Sequence, residues 1–162
     1  MKKIIMAALM TFAFALGSHA QSTPHAIGVH LGGSTMDLEY QYHFNNKNFL
    51  DVTAGVFDLN DGFCFQAVYN WNIKQWADWT PNFATWKFWG GVGAGLGFYD
   101  ADSDDGLFVG PVGTLGFGFT VKDFPLTIGI DYRPMIALNI GDNFGLIDSG
   151  FKNFGLTMTY RF

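Results

Sequence analysis

FKNFGLTMTYRF, residues 151–162, is the stretch that decides the fold. Every second residue counted back from the end gives Phe162, Tyr160, Met158, Leu156 and Phe154. The residues between them are Arg161, Thr159, Thr157, Gly155 and Asn153. One set is apolar and aromatic, the other polar or small, and a period of two is that of a β-strand with unlike faces. In a water-soluble sandwich the apolar face turns inward; in a membrane barrel it turns outward to lipid.

The same alternation runs through the rest of the chain. Ile27, Val29 and Leu31 oppose Gly28, His30 and Gly32, and Met36, Leu38, Tyr40, Tyr42 and Phe44 oppose Asp37, Glu39, Gln41 and His43. Residues 50–57, 63–73, 85–99, 108–121 and 126–139 repeat it, separated by turn-forming clusters such as Asn45-Asn46-Lys47-Asn48. Residues 74–84 read as a longer irregular connection, 100–106 as an acidic loop and 140–149 as a loop before the last strand. That makes about eight strands of about ten residues, a length that crosses an outer membrane when tilted. Phe44, Trp71, Trp86, Phe119, Tyr160 and Phe162 share the apolar parity, and all fall at the strand ends on the side of the termini. Aromatic residues at one height form the interfacial girdle of a membrane barrel, and a soluble sandwich gives no reason for them. The sequence therefore predicts an all-β fold, a closed antiparallel transmembrane β-barrel of up-and-down topology.

Ahead of the first strand stand Lys2 and Lys3, an apolar run over residues 4–16, and Ser18-His19-Ala20. A basic start, a short apolar core and a small-x-small ending describe a secretory signal peptide over residues 1–20, leaving the barrel over 21–162. The run falls short of the roughly 20 residues that a helix needs to span a bilayer. Formal charge is −5, and −7 once the two signal lysines are removed, which speaks against nucleic acid as a partner. The single Cys64 has no intramolecular disulfide partner and reads as a small apolar inward side chain. Aromatic residues make up 18% of the chain and charged ones only 14%, so something other than water is expected to cover much of the surface.

Three groups of residues invite a chemical reading. The glycine-rich run at residues 90–97 does not match G-x-G-x-x-G and has no Walker lysine; its glycines leave inward space opposite bulky side chains. Asp100, Asp102 and Asp104 resemble the start of an EF-hand loop, but Gly106 comes one place late and Pro111 stands where the closing Glu belongs. They are weak metal candidates in a flexible acidic loop. The inward parity collects His30, His43, Asp37, Glu39, Asp51, Lys87, Asp131, Arg133 and Arg161. An eight-stranded lumen is just wide enough for side chains to fill, so these charges have to pair. Glu39, Lys87, Asp131, Arg133 and Arg161 are the expected network.

The signal peptide, the strand series and the terminal Tyr160-Arg161-Phe162 resemble the small outer-membrane β-barrel proteins of Gram-negative bacteria, of the OmpA, OmpX and OmpW types. The resemblance implies the outer membrane as the location, with its lipid and lipopolysaccharide as surroundings. It also implies that Phe162 is the signal read by the barrel assembly machinery. The deacylases of that family use Ser, His and an acid; here there is no H-x-S, and Ser22, Ser34, Ser103 and Ser149 lie outside strand interiors. The expected role is non-enzymatic and cofactor-free: a monomeric structural or surface-interaction barrel with its lumen plugged by paired charges. The alternative is a narrow channel or carrier for small apolar molecules, as in the OmpW type. A pocket beside Gly91, Gly93, Gly95, Gly97, Gly116 and Gly118 would favour that alternative.

Overall fold

The computed structural model describes residues 24–57, 62–101, 104–140 and 145–162; the signal segment, residues 1–20, lies outside them. Its strands are β1 (His25–Gly32), β2 (Thr35–His43), β3 (Asn48–Phe57), β4 (Gly62–Trp76), β5 (Ala84–Ala101), β6 (Asp104–Val121), β7 (Leu126–Tyr132), β8 (Ala137–Asn139), β9 (Gly145–Ile147) and β10 (Phe154–Arg161). A 3-10 turn at Asp148–Lys152 separates the last two. Each strand from β1 to β6 pairs antiparallel with the next, β6 pairs with β7, β7 with β10, and β10 returns to β1. The ring is a closed antiparallel barrel of eight strands in up-and-down order. Closure leaves no sheet edge around the ring, which removes the unpaired backbone groups that an open sheet would expose.

β8 continues the line of β7, because Val112 bridges Met135 between the β6–β7 and β6–β8 ladders without a change of register. Pro134 explains the gap. It has no N–H to give to β6, although its carbonyl still accepts from the Gly113 N–H at 2.9 Å. Opposite this gap the eighth line carries the 3-10 turn, tied by Met135 N–H to Gly150 O at 2.9 Å and Arg133 N–H to Asn153 O at 2.8 Å.

Several loop boundaries differ from the sequence expectation. Residues 145–147, read as loop, pair with β8 as β9, and the last strand begins at Phe154 rather than at 151. The connection at 74–84 shrinks, since β4 runs to Trp76 past a bulge between Asn72 and Lys74 and β5 starts at Ala84. The acidic loop is mostly strand: Asp100 pairs with Asp105 and Ala101 with Asp104. Alternation of side chains cannot mark where hydrogen bonding ends, and polar residues at a hairpin tip continue a ladder as readily as apolar ones.

The two faces follow the period-two reading. Leu38 is 67% exposed on the outside and Phe154 69%, whereas Arg133 and Glu39, on the inside, are each 1% exposed. At the end bearing the termini, aromatic rings form a belt around the outer wall. Tyr42 meets Phe44 at 5.0 Å, Phe44 meets Tyr69 at 5.7 Å, and Tyr69 meets Trp71 at 5.0 Å. Further round, Trp79 meets Trp86 at 5.9 Å and Trp86 meets Phe119 at 5.2 Å, while Tyr160 lies 5.1 Å from Phe124. Phe162 stacks on His25 at 6.1 Å and its N–H donates to the His25 carbonyl at 2.9 Å, fastening the last residue to the first strand.

Candidate functional site: the charged lumen

Inward positions on β1, β2, β3 and β7 supply the charges. Arg133, at the end of β7 just before Pro134, is the hub. Its Nη2 donates to Asp131 Oδ2 at 2.8 Å and to Asp51 Oδ2 at 3.2 Å, and stands 3.9 Å from Glu39 Oε1. The Arg133 Nε adds a second bond to Asp131 at 3.3 Å. These partners come from β2, β3 and β7, so the guanidinium ties opposite walls of the barrel together. Asp51 and Glu39 also lie within hydrogen-bonding reach of one another.

Asp131 connects the hub to a second centre. Its Oδ1 lies 2.9 Å from His30 Nε2, and the other ring nitrogen, Nδ1, lies 3.1 Å from Asp37 Oδ2. A carboxyl group faces each ring nitrogen, so both nitrogens of His30 have a hydrogen-bond partner. Neutral groups complete the shell: Gln41 Nε2 and Thr157 Oγ1 each donate to Glu39 at 2.6 Å, and Thr35 Oγ1 donates to Asp37 at 2.5 Å. Asn153 Nδ2 donates to Thr35 Oγ1 at 3.2 Å, closing this end of the network against the 3-10 turn.

Of the expected network, Glu39, Asp131 and Arg133 are brought together. Lys87 and Arg161 stand elsewhere, toward the end bearing the termini: Lys87 is opposite Gln75 and Gly118, and Arg161 is opposite Ala26. Parity gives the face of a side chain but not its height, and height depends on the stagger of the strands. The same limitation hid three members. His30, Asp37 and Asp51 carry inward parity, but nothing local in the sequence indicates that they meet Arg133 or Asp131 across the lumen. Of the weak metal candidates, Asp100 and Asp104 sit in paired strands and Asp102 lies outside the described residues. Among the described residues no three His, Cys, Asp or Glu side chains converge as a metal site.

The other part of the lumen holds an apolar cluster beside the buried polar residues Gln66, Asn70, Thr114 and Asn139. Phe57, Cys64, Val68, Phe108, Val112, Met135 and Ala137 form one buried cluster on β3, β4, β6 and the β7–β8 line. Here two of the inward glycines seat rings. The space beside Gly116 is taken by the indole of Trp89, and that beside Gly97 by the ring of Phe108. The strip of missing side chains is what lets these large rings lie flat against the wall. The recess found inside, among Gln41, His43, Lys87, Trp89, Thr157 and Thr159, measures about 20 Å³, room for about one water. Two larger hollows, of about 540 and 570 Å³, lie on the outer wall around Leu115 and Tyr132.

The lumen also contains an arrangement that resembles a hydrolytic centre: Thr35 Oγ1 lies 3.4 Å from His30 Nδ1, and His30 Nε2 faces Asp131. Thr35 nevertheless gives its proton to Asp37, and His30 is 0% exposed, so the hydroxyl has neither an available base nor access to substrate.

Fold and interior together define a closed eight-stranded antiparallel β-barrel, apolar outside and filled inside by an ion-pair network and an apolar cluster. No family model matches the chain, and neither a curated protein nor a solved structure matches it.

Proposed function

We propose that the chain is an integral outer-membrane β-barrel protein of a Gram-negative bacterium, monomeric and non-catalytic, with a structural or surface-interaction role in the envelope. The observation that carries this reading is the inversion of the two faces. Four carboxylates, Arg133 and His30 are buried within the ring, while Leu38, Val92, Leu115, Ile130 and Phe154 cover its outside. Water as the surrounding solvent would favour the opposite distribution, and lipid favours this one. The aromatic belt supports the same setting, at the height where rings sit among lipid headgroups. In this reading outer-membrane lipid and lipopolysaccharide are the partners of the outer wall. The last strand, ending on Phe162, is what the assembly machinery engages, and the signal over residues 1–20 delivers the chain for export.

A closed role fits the lumen better than a conducting one. An aqueous pore exposes its lining, yet Asp37, Glu39, Asp51, Asp131 and Arg133 are each 4% exposed or less. The carrier alternative relied on glycine-lined space, and Phe108 and Trp89 occupy the parts of it beside Gly97 and Gly116. The test is refolding of denatured residues 21–162 with and without lipid vesicles or detergent. The expected result is a β-type circular dichroism spectrum and a heat-modifiable band on gels only when lipid or detergent is present. A soluble, folded monomer in plain buffer would refute the membrane assignment.

A further inference from the structure

Glu39 and Asp51 bring two acidic groups together inside the barrel. Thr53 on β3 stands opposite Glu39 on β2, and Asp51 is the next inward residue along β3, so the two are diagonal neighbours on one face. Diagonal neighbours have backbones about 7–8 Å apart, within reach for side chains of this length. Their oxygens converge on a single nitrogen: Arg133 Nη2 lies 3.2 Å from Asp51 Oδ2 and 3.9 Å from Glu39 Oε1. Both groups are buried, and the two carboxyls lie within hydrogen-bonding reach of one another.

An ionised carboxylate only accepts hydrogen bonds, so a hydrogen bond between two carboxyl groups needs a proton on one of them. Two carboxyl groups sharing a buried site do not both ionise readily, because like charges at contact repel. The donors around each oxygen show where the proton belongs. Glu39 Oε1 accepts from Gln41 Nε2 and Glu39 Oε2 from Thr157 Oγ1, both at 2.6 Å. Asp51 Oδ2 accepts from Arg133 Nη2 at 3.2 Å. Asp51 Oδ1 is buried and no donor reaches it. Three of the four oxygens are occupied as acceptors, and the fourth is free to carry a hydrogen.

The surrounding strands supply no second cation to the pair. On β7, Arg133 faces Asp51 but is shared with Asp131, which it meets at 2.8 Å. On β4 the residue opposite Asp51 is Val68, which has nothing to titrate, and on β2 it is Gln41, whose amide is committed to Glu39. His30 on β1 is engaged by Asp37 and Asp131. Among the described residues one guanidinium therefore serves three carboxyl groups.

We propose that Asp51 is a neutral carboxylic acid in the folded protein at neutral pH, its Oδ1 proton donated to Glu39, and that this bound proton is a component of the plug. The proton ties β3 to β2 while Arg133 ties both to β7. In the unfolded chain Asp51 is an ordinary aspartate, which loses its proton near pH ~3.9. The folded state thus holds one proton more than the unfolded state at neutral pH, and by linkage its stability falls as pH rises. The fall ends only where Asp51 ionises inside the barrel as well, leaving two carboxylates in contact. The charged half of the lumen is in this sense a clasp that alkaline conditions loosen. The assignment concerns the lumen alone and does not depend on where the barrel resides.

Infrared spectroscopy of the folded chain in D2O, in a carbonyl-free detergent at neutral pH, reads the proton directly. A C=O band of a protonated carboxyl group is expected in the wild type and should be lost in Asp51→Asn. Asparagine keeps the shape, and its amide N–H takes the place of the acid donor, so this variant should fold with a wild-type midpoint at neutral pH. Denaturant unfolding between about pH 7 and about pH 10 gives a second readout. The wild type should lose stability more steeply than Asp51→Asn, by a slope of up to about one proton per chain. Asp131→Asn, which removes a charge that Arg133 and His30 both face, should be destabilised across the same range. Absence of the band in the wild type would overturn the proposal, whether or not the variants fold. A band that survives Asp51→Asn would put the proton on another group and overturn the assignment. So would an Asp51→Asn variant as unstable at neutral pH as Asp131→Asn, because Asp51 would then be needed as an ion.

Discussion

The two halves of this lumen are filled by opposite means. On the β1–β2–β3–β7 side, Arg133, His30 and four carboxylates hold the walls together by short polar contacts. On the other side Phe57 at the end of β3, Phe108 and Val112 on β6, and Met135 between β7 and β8 pack together, beside a wall made thin by glycine. A ring of eight strands has too little internal space for both water and side chains, so each half had to exclude water in its own way. The charged half depends on completeness, because each missing partner leaves an uncompensated charge. The apolar half depends on volume, because each added methyl meets a ring. The contrast teaches that truncation harms the first half most and enlargement the second.

The largest effect is expected at the hub. Arg133→Ala strands Asp131, Asp51 and Glu39 without their common cation and should destabilise the barrel by about 3–5 kcal/mol, read from denaturant unfolding in detergent. A loss below about 1 kcal/mol, the range of an exposed pair, would mean that the charged half is not the clasp described here. Next comes the outer wall, which calibrates both halves. Leu115→Arg sets a charge on a surface proposed to face lipid and should cost about 2–4 kcal/mol in vesicles. Tolerance of that arginine would contradict the assigned outward face.

The apolar half is tested by enlargement. Gly116→Ala drives a methyl into the Trp89 indole and should cost about 1–3 kcal/mol, with a change in tryptophan fluorescence. Gly113, on the same strand but facing out, is the control. A Cβ there meets nothing nearer than Pro134 Cγ at 3.8 Å, so Gly113→Ala should be neutral or slightly stabilising. Equal costs at the two glycines would show that strand conformation, and not the filled lumen, explains them.

Much of this was legible in the sequence, and the physical reason is the period of two. Alternation assigned Leu38 and Phe154 outward and Glu39, Asp131 and Arg133 inward, as the structure has them. It could not say which inward residues share a level. Lys87 and Arg133 have the same parity, yet Lys87 stands opposite Gly118 near the start of β5 whereas Arg133 reaches Asp131 and Asp51. Stagger around a closed ring sets that difference, and stagger is a property of the whole ring. The glycines were ambiguous for a related reason: an absent side chain is either a pocket or a seat for a ring, and only the position of Trp89 and Phe108 decides. The eighth line hid its 3-10 turn because Phe151, Lys152 and Asn153 continue the alternation through a segment that no longer pairs as strand.

The central claim is a barrel closed by its own side chains, and single-channel recording in planar bilayers tests it most directly. Wild-type protein, inserted and verified as folded, should show conductance indistinguishable from bare lipid, because Arg133 and its carboxylates fill the cross-section at their level. Steady, stepwise wild-type conductance would contradict the account and promote the narrow-channel alternative in its place.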